Sequence, residues 1–398
     1  MAERMVRVKG FRWAGVRCGI KTRGPDLMLL ASDRPASAAG VLTRNAVASA
    51  PVQVTRSHLR GGSARAVVAN SGCSNVAMGA QGARDANTMA ALAALALGVK
   101  AREVCVASTG VIGEPLPMAK LASGIPQAAR SLAESGIGAA ARAIMTTDTV
   151  PKVASASVVL GGTRCHVAGI AKGSGMIEPD MATMLSFVAT DAAIAAPALR
   201  AMWREVADAT YNRVTVDGET STSDTALVLA NGASGARRIA GARGRDAALL
   251  AGALLDVATE LAKRLARDGE GATKLVTIEV RGAKSDAQAE AAGRRIANSL
   301  LVKTALFGGD PNWGRILQTV GAERVALNLA RTRVALCGVP VFADGSSTGP
   351  GARKEAGKRM RAEEISIAVE LGAGTGRALL WTCDLSYAYV KVNADYTT

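Results

Sequence analysis

The chain has 398 residues, 49% apolar and 20% charged, with 48 basic against 33 acidic residues and a formal charge of +15. These are globular values, and the length suits two domains or one large one with a sizeable core. Only two histidines are present, His58 and His166, which excludes a site of three histidine ligands and limits Ser-His-Asp or Cys-His chemistry to one of two positions.

Residues 1–65 carry twelve Lys/Arg and three acids, so +9 of the net charge lies there. The charges are scattered and no run of aromatics accompanies them, so they read as a solvated basic face or a field that steers anions, not a nucleic-acid footprint. The N-terminus has no apolar signal core, although its Arg-rich, acid-poor composition leaves a short transit peptide open. Asp26–Ala31, Ala38–Leu42 and Ala64–Asn70 read as short strands, and Arg84–Gly98 as a helix. Glu103–Ser108 reads as a buried strand running into Thr109-Gly110. Pro117–Ser135 reads as a helix broken at Pro126. Lys152–Leu160 and Arg164–Ile170 flank Gly161-Gly162, which is a hairpin signal. The clearest helix is Arg245–Arg267, with an apolar stripe of Leu249, Leu250, Leu254, Val257, Leu261 and Leu265, stopping at Asp268-Gly269. Lys274–Val280 is a strand, Ser285–Ser299 a helix, and Thr332–Cys337 and Glu364–Leu371 are strands. The pattern predicts an α+β fold of layered sheets; no repeat or linker marks a domain boundary, and a smaller lobe at roughly 240–345 is expected without the spacing fixing it. The six cysteines form no CxxC pair and read as reduced thiols of a cytoplasmic protein. No apolar run approaches the roughly 18 residues of a membrane span.

Three polar stretches carry candidate chemistry. They are Lys172–Leu185 (KGSGMIEPDMATML), Thr146-Thr147-Asp148-Thr149, and Ser108-Thr109-Gly110 at a strand end, where a free N–H suits an anion. Taken singly, each reads first as an ordinary turn. Gly372-Ala-Gly-Thr-Gly376 has the look of half a dinucleotide loop but precedes a strand-like run, so no Rossmann site is expected.

Together, in this order, the stretches resemble the ornithine acetyltransferases, glutamate N-acetyltransferases of arginine biosynthesis. The similarity runs through GVRCGIKTRGPDLMLL (15–30), ASTGVIG (107–113), TTDT (146–149) and AKGSGMIEPDMATML (171–185). It continues through NRVTVDGETSTSDT (212–225), GEGATK (269–274), LVKTALFGGDPNWGRI (301–316) and YVKVNADYTT (389–398). Two departures are Asn70-Ser-Gly-Cys-Ser-Asn, which differs from an Asn-Ser-Gly-Asn-Ala-Asn pattern, and Gly309, where an acid is frequent.

The resemblance implies an N-terminal-nucleophile-like layered sandwich and a precursor that cuts itself between Ala182 and Thr183, giving chains 1–182 and 183–398. Thr183 becomes the nucleophile, with its own α-amine, of pKa roughly 7.7–8.0, as the base. That arrangement needs no histidine. Thr109 and Gly110 are implied to form the oxyanion hole, and Thr146, Lys172, Thr183, Glu270, Asn393 and Thr398 the substrate contacts. A ping-pong transfer from N2-acetylornithine to glutamate follows, with no cofactor or metal and with acetyl-CoA left open as a co-substrate. Two copies of each chain are implied to form a heterotetramer. The competing readings are an N-terminal-nucleophile aminopeptidase or amidase and, more remotely, a basic nucleic-acid-binding protein.

Overall fold

The computed structural model describes residues 7–178 and 184–395. Its larger sheet contains β1 (Phe11–Val16), β2 (Leu27–Leu42), β3 (Ser63–Cys73), β4 (Val104–Val111), β5 (Lys152–Leu160), β6 (Thr163–Lys172), β7 (Leu185–Thr190) and β8 (Thr225–Ala230). The order is β4-β3-β2-β8-β7-β6-β5, with β1 paired to β2. The pairs β3/β4 and β7/β8 are parallel and the others antiparallel.

Helices cover this sheet: α1 (Ala50–His58), α2 (Gly79–Leu97), α3 (Met118–Arg130), α4 (Ile137–Ala143), α5 (Ala196–Ala209) and α6 (Arg245–Arg267). Along β2, Leu27 and Leu29 pack with residues of α2 and α3, while Met28 and Leu30 turn to a second core shared with α4. The strand is therefore buried on both faces, which is why its sequence is continuously apolar instead of alternating. Val167, Val188 and Val228 pack against α5 and α6.

The smaller sheet contains β9 (Leu275–Ala283), β10 (Arg333–Leu336), β11 (Val339–Ala343), β12 (Ser346–Ser347), β13 (Glu364–Glu370) and β14 (Gly376–Cys383), ordered β12-β11-β10-β13-β9-β14. With it lie α7 (Asp286–Ala297), α8 (Leu300–Gly308), α9 (Trp313–Ala322) and α10 (Pro350–Arg359), and the C-terminal helix α11 (Tyr387–Asp395) follows. Val276, Ile278, Ile296, Leu306 and Leu380 belong to a separate core under this sheet.

The layered α+β architecture agrees with the sequence reading, while several boundaries move. The smaller sheet runs from Leu275 to Cys383, so the lobe expected at 240–345 starts later and ends later. Helix α6, inside those expected bounds, belongs to the core of the larger sheet instead. Its stripe excludes Leu249, which is 40% exposed. Ala38–Leu42 is no separate strand: β2 continues through Ser32–Pro35 by a register shift between Ala31 and Ala36, an irregularity that tolerates proline within a sheet. Helix α3 runs through Pro126 without a break. One interior proline costs about 3 kcal/mol, whereas burying Leu121 and Ile125 of the same helix returns roughly 1.5–3 kcal/mol apiece. The β5/β6 hairpin forms as expected, with Leu160 opposite Thr163 and positive φ at both Gly161 and Gly162. Gly309 has φ +66° and caps α8 in the left-handed conformation that a side chain disfavours.

Candidate active site

The end of β4 supplies Thr109 and Gly110, and the end of β6 supplies Lys172. These strands are not neighbours in the sheet, yet Lys172 Nζ donates to Thr109 Oγ1 at 3.3 Å. A cavity of about 100 Å³ opens there, lined by Thr109, Gly110, Thr146, Lys172, Glu270 and Asn393, with Gly175, Met176, Ser221 and Ser223 among the remaining wall. At roughly 10–15 Å³ per water-sized group, that volume is on the scale of an acylated amino acid.

Gly110 has φ +129°, and a Cβ there would stand 2.4 Å from the Gly72 carbonyl carbon. Only glycine fits where β3 and β4 approach so closely. The segment after β6 is held from two sides. Asp148 Oδ1 accepts the Gly173 N–H at 2.7 Å, and Asp217 accepts the N–H groups of Met176 and Ile177, each at 2.7 Å. Thr147 and Ser174 share a hydroxyl hydrogen bond of 2.6 Å. The Glu270 N–H donates to the Ser174 carbonyl at 2.7 Å. From the C-terminal helix, Asn393 Nδ2 donates to Glu270 Oε2 at 2.8 Å, so α11 returns to the cavity.

Beneath the cavity lies a buried charge network. Lys152 Nζ donates to Asp148 Oδ1 at 2.7 Å and to Asp268 Oδ2 at 2.5 Å. Asp148 Oδ2 also accepts the Thr146 N–H at 3.0 Å, so one carboxylate fixes two segments of the wall. Burial pushes the Asp148 carboxyl up, but the Lys152 and Lys172 ammoniums and the Gly173 N–H outweigh it, and the carboxyl is held down at about 2. Burial pushes the Lys172 ammonium below its ordinary range, with Asp148, Asp224 and Glu270 pulling it back up and Lys152 adding to the depression. The site therefore presents a desolvated cation at one wall and the Glu270 carboxylate at another.

Of the site residues named from the sequence, Thr109, Gly110, Thr146, Lys172, Glu270 and Asn393 meet in this one cavity. Ala182, Thr183 and Thr398 lie outside the described residues. Neither histidine lines the cavity: His58 Nδ1 bonds the Val104 carbonyl and His166 Nδ1 bonds Asp191. The sequence reading missed Lys152, Asp217, Asp268 and the Ser221–Ser223 wall. Asp148 lies in the Thr146–Thr149 tetrapeptide, where the sequence gives it no separate role. Lys152 looked like the polar start of an alternating strand, and nothing local to it signals burial. No group of three or more metal-ligating side chains occurs among the described residues, and none of their helices is long and apolar enough to cross a membrane.

Fold and site together define the class, a layered α+β protein whose polar cavity suits a compact charged ligand. Residues 12–398 match the model of the ArgJ family, and the chain belongs to that family. It is 47% identical over 399 residues to a Symbiobacterium thermophilum protein named Arginine biosynthesis bifunctional protein ArgJ, covering 98% of this chain and 97% of the relative. It is 48% identical over 402 residues to the protein of the same name from Thermus thermophilus, covering 100% of both. A solved chain described as Arginine biosynthesis bifunctional protein argJ from Bacillus halodurans is 38% identical with a TM-score of 0.50, covering 52% of this chain and 96% of that one.

Proposed function

We propose that this ArgJ-family acetyltransferase cuts itself between Ala182 and Thr183 and then moves an acetyl group from N2-acetylornithine to glutamate through an acetyl-Thr183 intermediate. The observation that carries the reading is the convergence of Thr109, Gly110, Thr146, Lys172, Glu270 and Asn393 on one cavity. Gly175 and Met176 line that cavity just before the cleavage segment. Just after it, the Met184 carbonyl accepts the Thr225 N–H at 2.9 Å, two residues from Ser223 in the wall. The half-length solved relative supports two chains.

In the cleavage, Thr183 Oγ attacks the Ala182 carbonyl and its proton passes to the departing α-nitrogen. Water then hydrolyses the ester, which leaves a free hydroxyl and a free amine on Thr183. In the transfer, that amine takes the hydroxyl proton as Oγ bonds the acetyl carbon. The same proton leaves with the ornithine amine when the C–N bond breaks. Glutamate's amine then attacks, gives a proton to the Thr183 amine, and Oγ departs as the hydroxyl. Thr109 and Gly110 stabilise the oxyanion of each step, one such donor being worth about 2.7–4 kcal/mol. Lys172 binds the α-carboxylate common to donor and acceptor, and Glu270 binds the ornithine side-chain ammonium. The two chains assemble as a heterotetramer in the cytoplasm, and acetyl-CoA is a second acetyl source to be assayed.

The test is a denaturing gel with N-terminal sequencing, followed by an assay for N-acetylglutamate from acetylornithine and glutamate. Two fragments, the second starting at Thr183, and product formation are expected, and Thr183→Ala should abolish both. A single full-length band in active wild-type protein would overturn the reading. Release of ornithine and acetate without N-acetylglutamate would replace it with a hydrolase.

A further inference from the structure

Behind the cavity lies a lysine that the transfer as described does not use. Residues 17–26 join β1 to β2, and Asp26 at the end of this loop is fully buried. Its Oδ1 accepts the Cys18 N–H at 2.6 Å, and its Oδ2 accepts the N–H groups of Gly19 and Lys21, each at 3.0 Å. The backbone of Lys21 is thereby fixed, and its side chain is half-buried. A Cβ on Gly72 would stand 2.9 Å from Lys21 Cγ, and one on Gly110 would stand 2.4 Å from the Gly72 carbonyl carbon. The stem of Lys21 therefore packs on Gly72, and Gly72 on the cavity residue Gly110. At its tip, Lys21 Nζ donates to the Met145 carbonyl at 2.8 Å, across 124 residues of chain.

This contact bears on the cavity wall. The Met145 carbonyl belongs to the same planar peptide group as the Thr146 N–H, and that N–H donates to Asp148 Oδ2 at 3.0 Å. The peptide is gripped at both ends, by Lys21 and by Asp148, and Thr146 lines the cavity. The charged groups that face the Lys21 ammonium are Asp26, Asp148 and Lys172. Asp148 already pairs with Lys152, and Asp26 is taken up by three N–H groups. An ammonium has three N–H donors, and among the described residues the Met145 carbonyl is the acceptor that Lys21 meets. Its charge is not cancelled by an ion pair there.

We propose that Lys21 is a specificity-determining residue, which holds the Met145–Thr146 peptide in place and whose positive charge, added to that of Lys172, favours a dicarboxylate acceptor over the cationic donor. This rests on the reading of the two substrates above. Glutamate and acetylornithine share an α-carboxylate and differ at the side-chain end, where one carries a second carboxylate and the other an ammonium. One cavity must take both. Glu270 at one wall attracts the ammonium. The Lys21 charge, behind the Thr146 wall, attracts the second carboxylate and repels the ammonium. Water screens a charge poorly across a buried wall, so Lys21 acts on the ligand without touching it.

A ping-pong enzyme reports its substrates separately, because each kcat/KM depends on its own half-reaction. The quantity to measure is the ratio of kcat/KM for glutamate to kcat/KM for acetylornithine, from initial rates over a grid of both substrates. It is compared in wild type, Lys21→Met and Lys21→Arg, with a thermal melt of each protein. In Lys21→Met the ratio falls about tenfold, and Lys21→Arg, which keeps the charge, returns it to within about threefold of wild type. A side chain that only supports the fold would lower both constants together and leave the ratio alone. A ratio in Lys21→Met within about threefold of wild type, or one in Lys21→Arg no closer to wild type than in Lys21→Met, overturns the proposal. If Lys21→Met does not fold, Lys21→Gln, which keeps a donor without the charge, is read by the same ratio, and failure of both to fold also overturns it. Wild-type protein that makes no N-acetylglutamate sinks the parent reading together with this one, whereas an unchanged ratio in a working enzyme sinks this one alone.

Discussion

Gly175 and Glu270 stand so close that a Cβ on Gly175 would lie 2.5 Å from the Glu270 carboxyl carbon. The first residue belongs to the segment after β6, and the second faces the cavity from the loop after α6. Gly175→Ala must therefore push the carboxylate aside. Its backbone conformation is open to alanine, so the fold should lose no more than about 1–3 kcal/mol. The KM for acetylornithine should rise more than the KM for glutamate, as measured by initial rates alongside a thermal melt.

Glu270→Gln removes the charge without adding bulk. If the carboxylate meets the ornithine ammonium, losing about 1–2 kcal/mol of pairing raises the KM for acetylornithine roughly five- to thirtyfold. Glutamate has no such ammonium, so its KM should change little. Equal losses for both substrates in a steady-state assay would sink this assignment.

Gly110→Ala meets backbone at 2.4 Å instead of a movable side chain, and from positive φ. Neither strain can relax locally. The variant should be destabilised by at least about 3 kcal/mol and should lose cleavage together with solubility. Urea unfolding and the soluble yield measure this.

Lys152→Met leaves Asp148 and Asp268 buried without their shared cation. Breaking such a pair by removing one partner costs about 3–5 kcal/mol, whereas replacing all its members is far milder. The triple variant Lys152→Met, Asp148→Asn, Asp268→Asn should recover much of the urea midpoint that the single variant loses.

Asp148 also sets an acid limit. Its carboxyl is held at about 2 against an ordinary 3.8, so its contribution is present above 3.8 and is lost as pH falls through about 2. The size is roughly 2 kcal/mol. The stability gap between wild type and Asp148→Asn should be widest above about pH 5 and close toward pH 2 in urea titrations.

Local signals were enough for much of this protein. Periodicity gives α6 its limits, and the paired glycines give the β5/β6 hairpin. The loop motifs, matched to a family, name six of the residues that line the cavity. Those features depend on neighbours within a few positions, which composition and spacing record. The scarcity of histidine suits a site whose lining has none. Burial of charge is different in kind. Lys152 lies 116 residues from Asp268, and Asp224 comes beside Met184 only because β7 and β8 pair in parallel. Whether a lysine is a solvated strand end or the centre of a buried triad depends on desolvation by elements far away in the chain. Only the tertiary structure decides that.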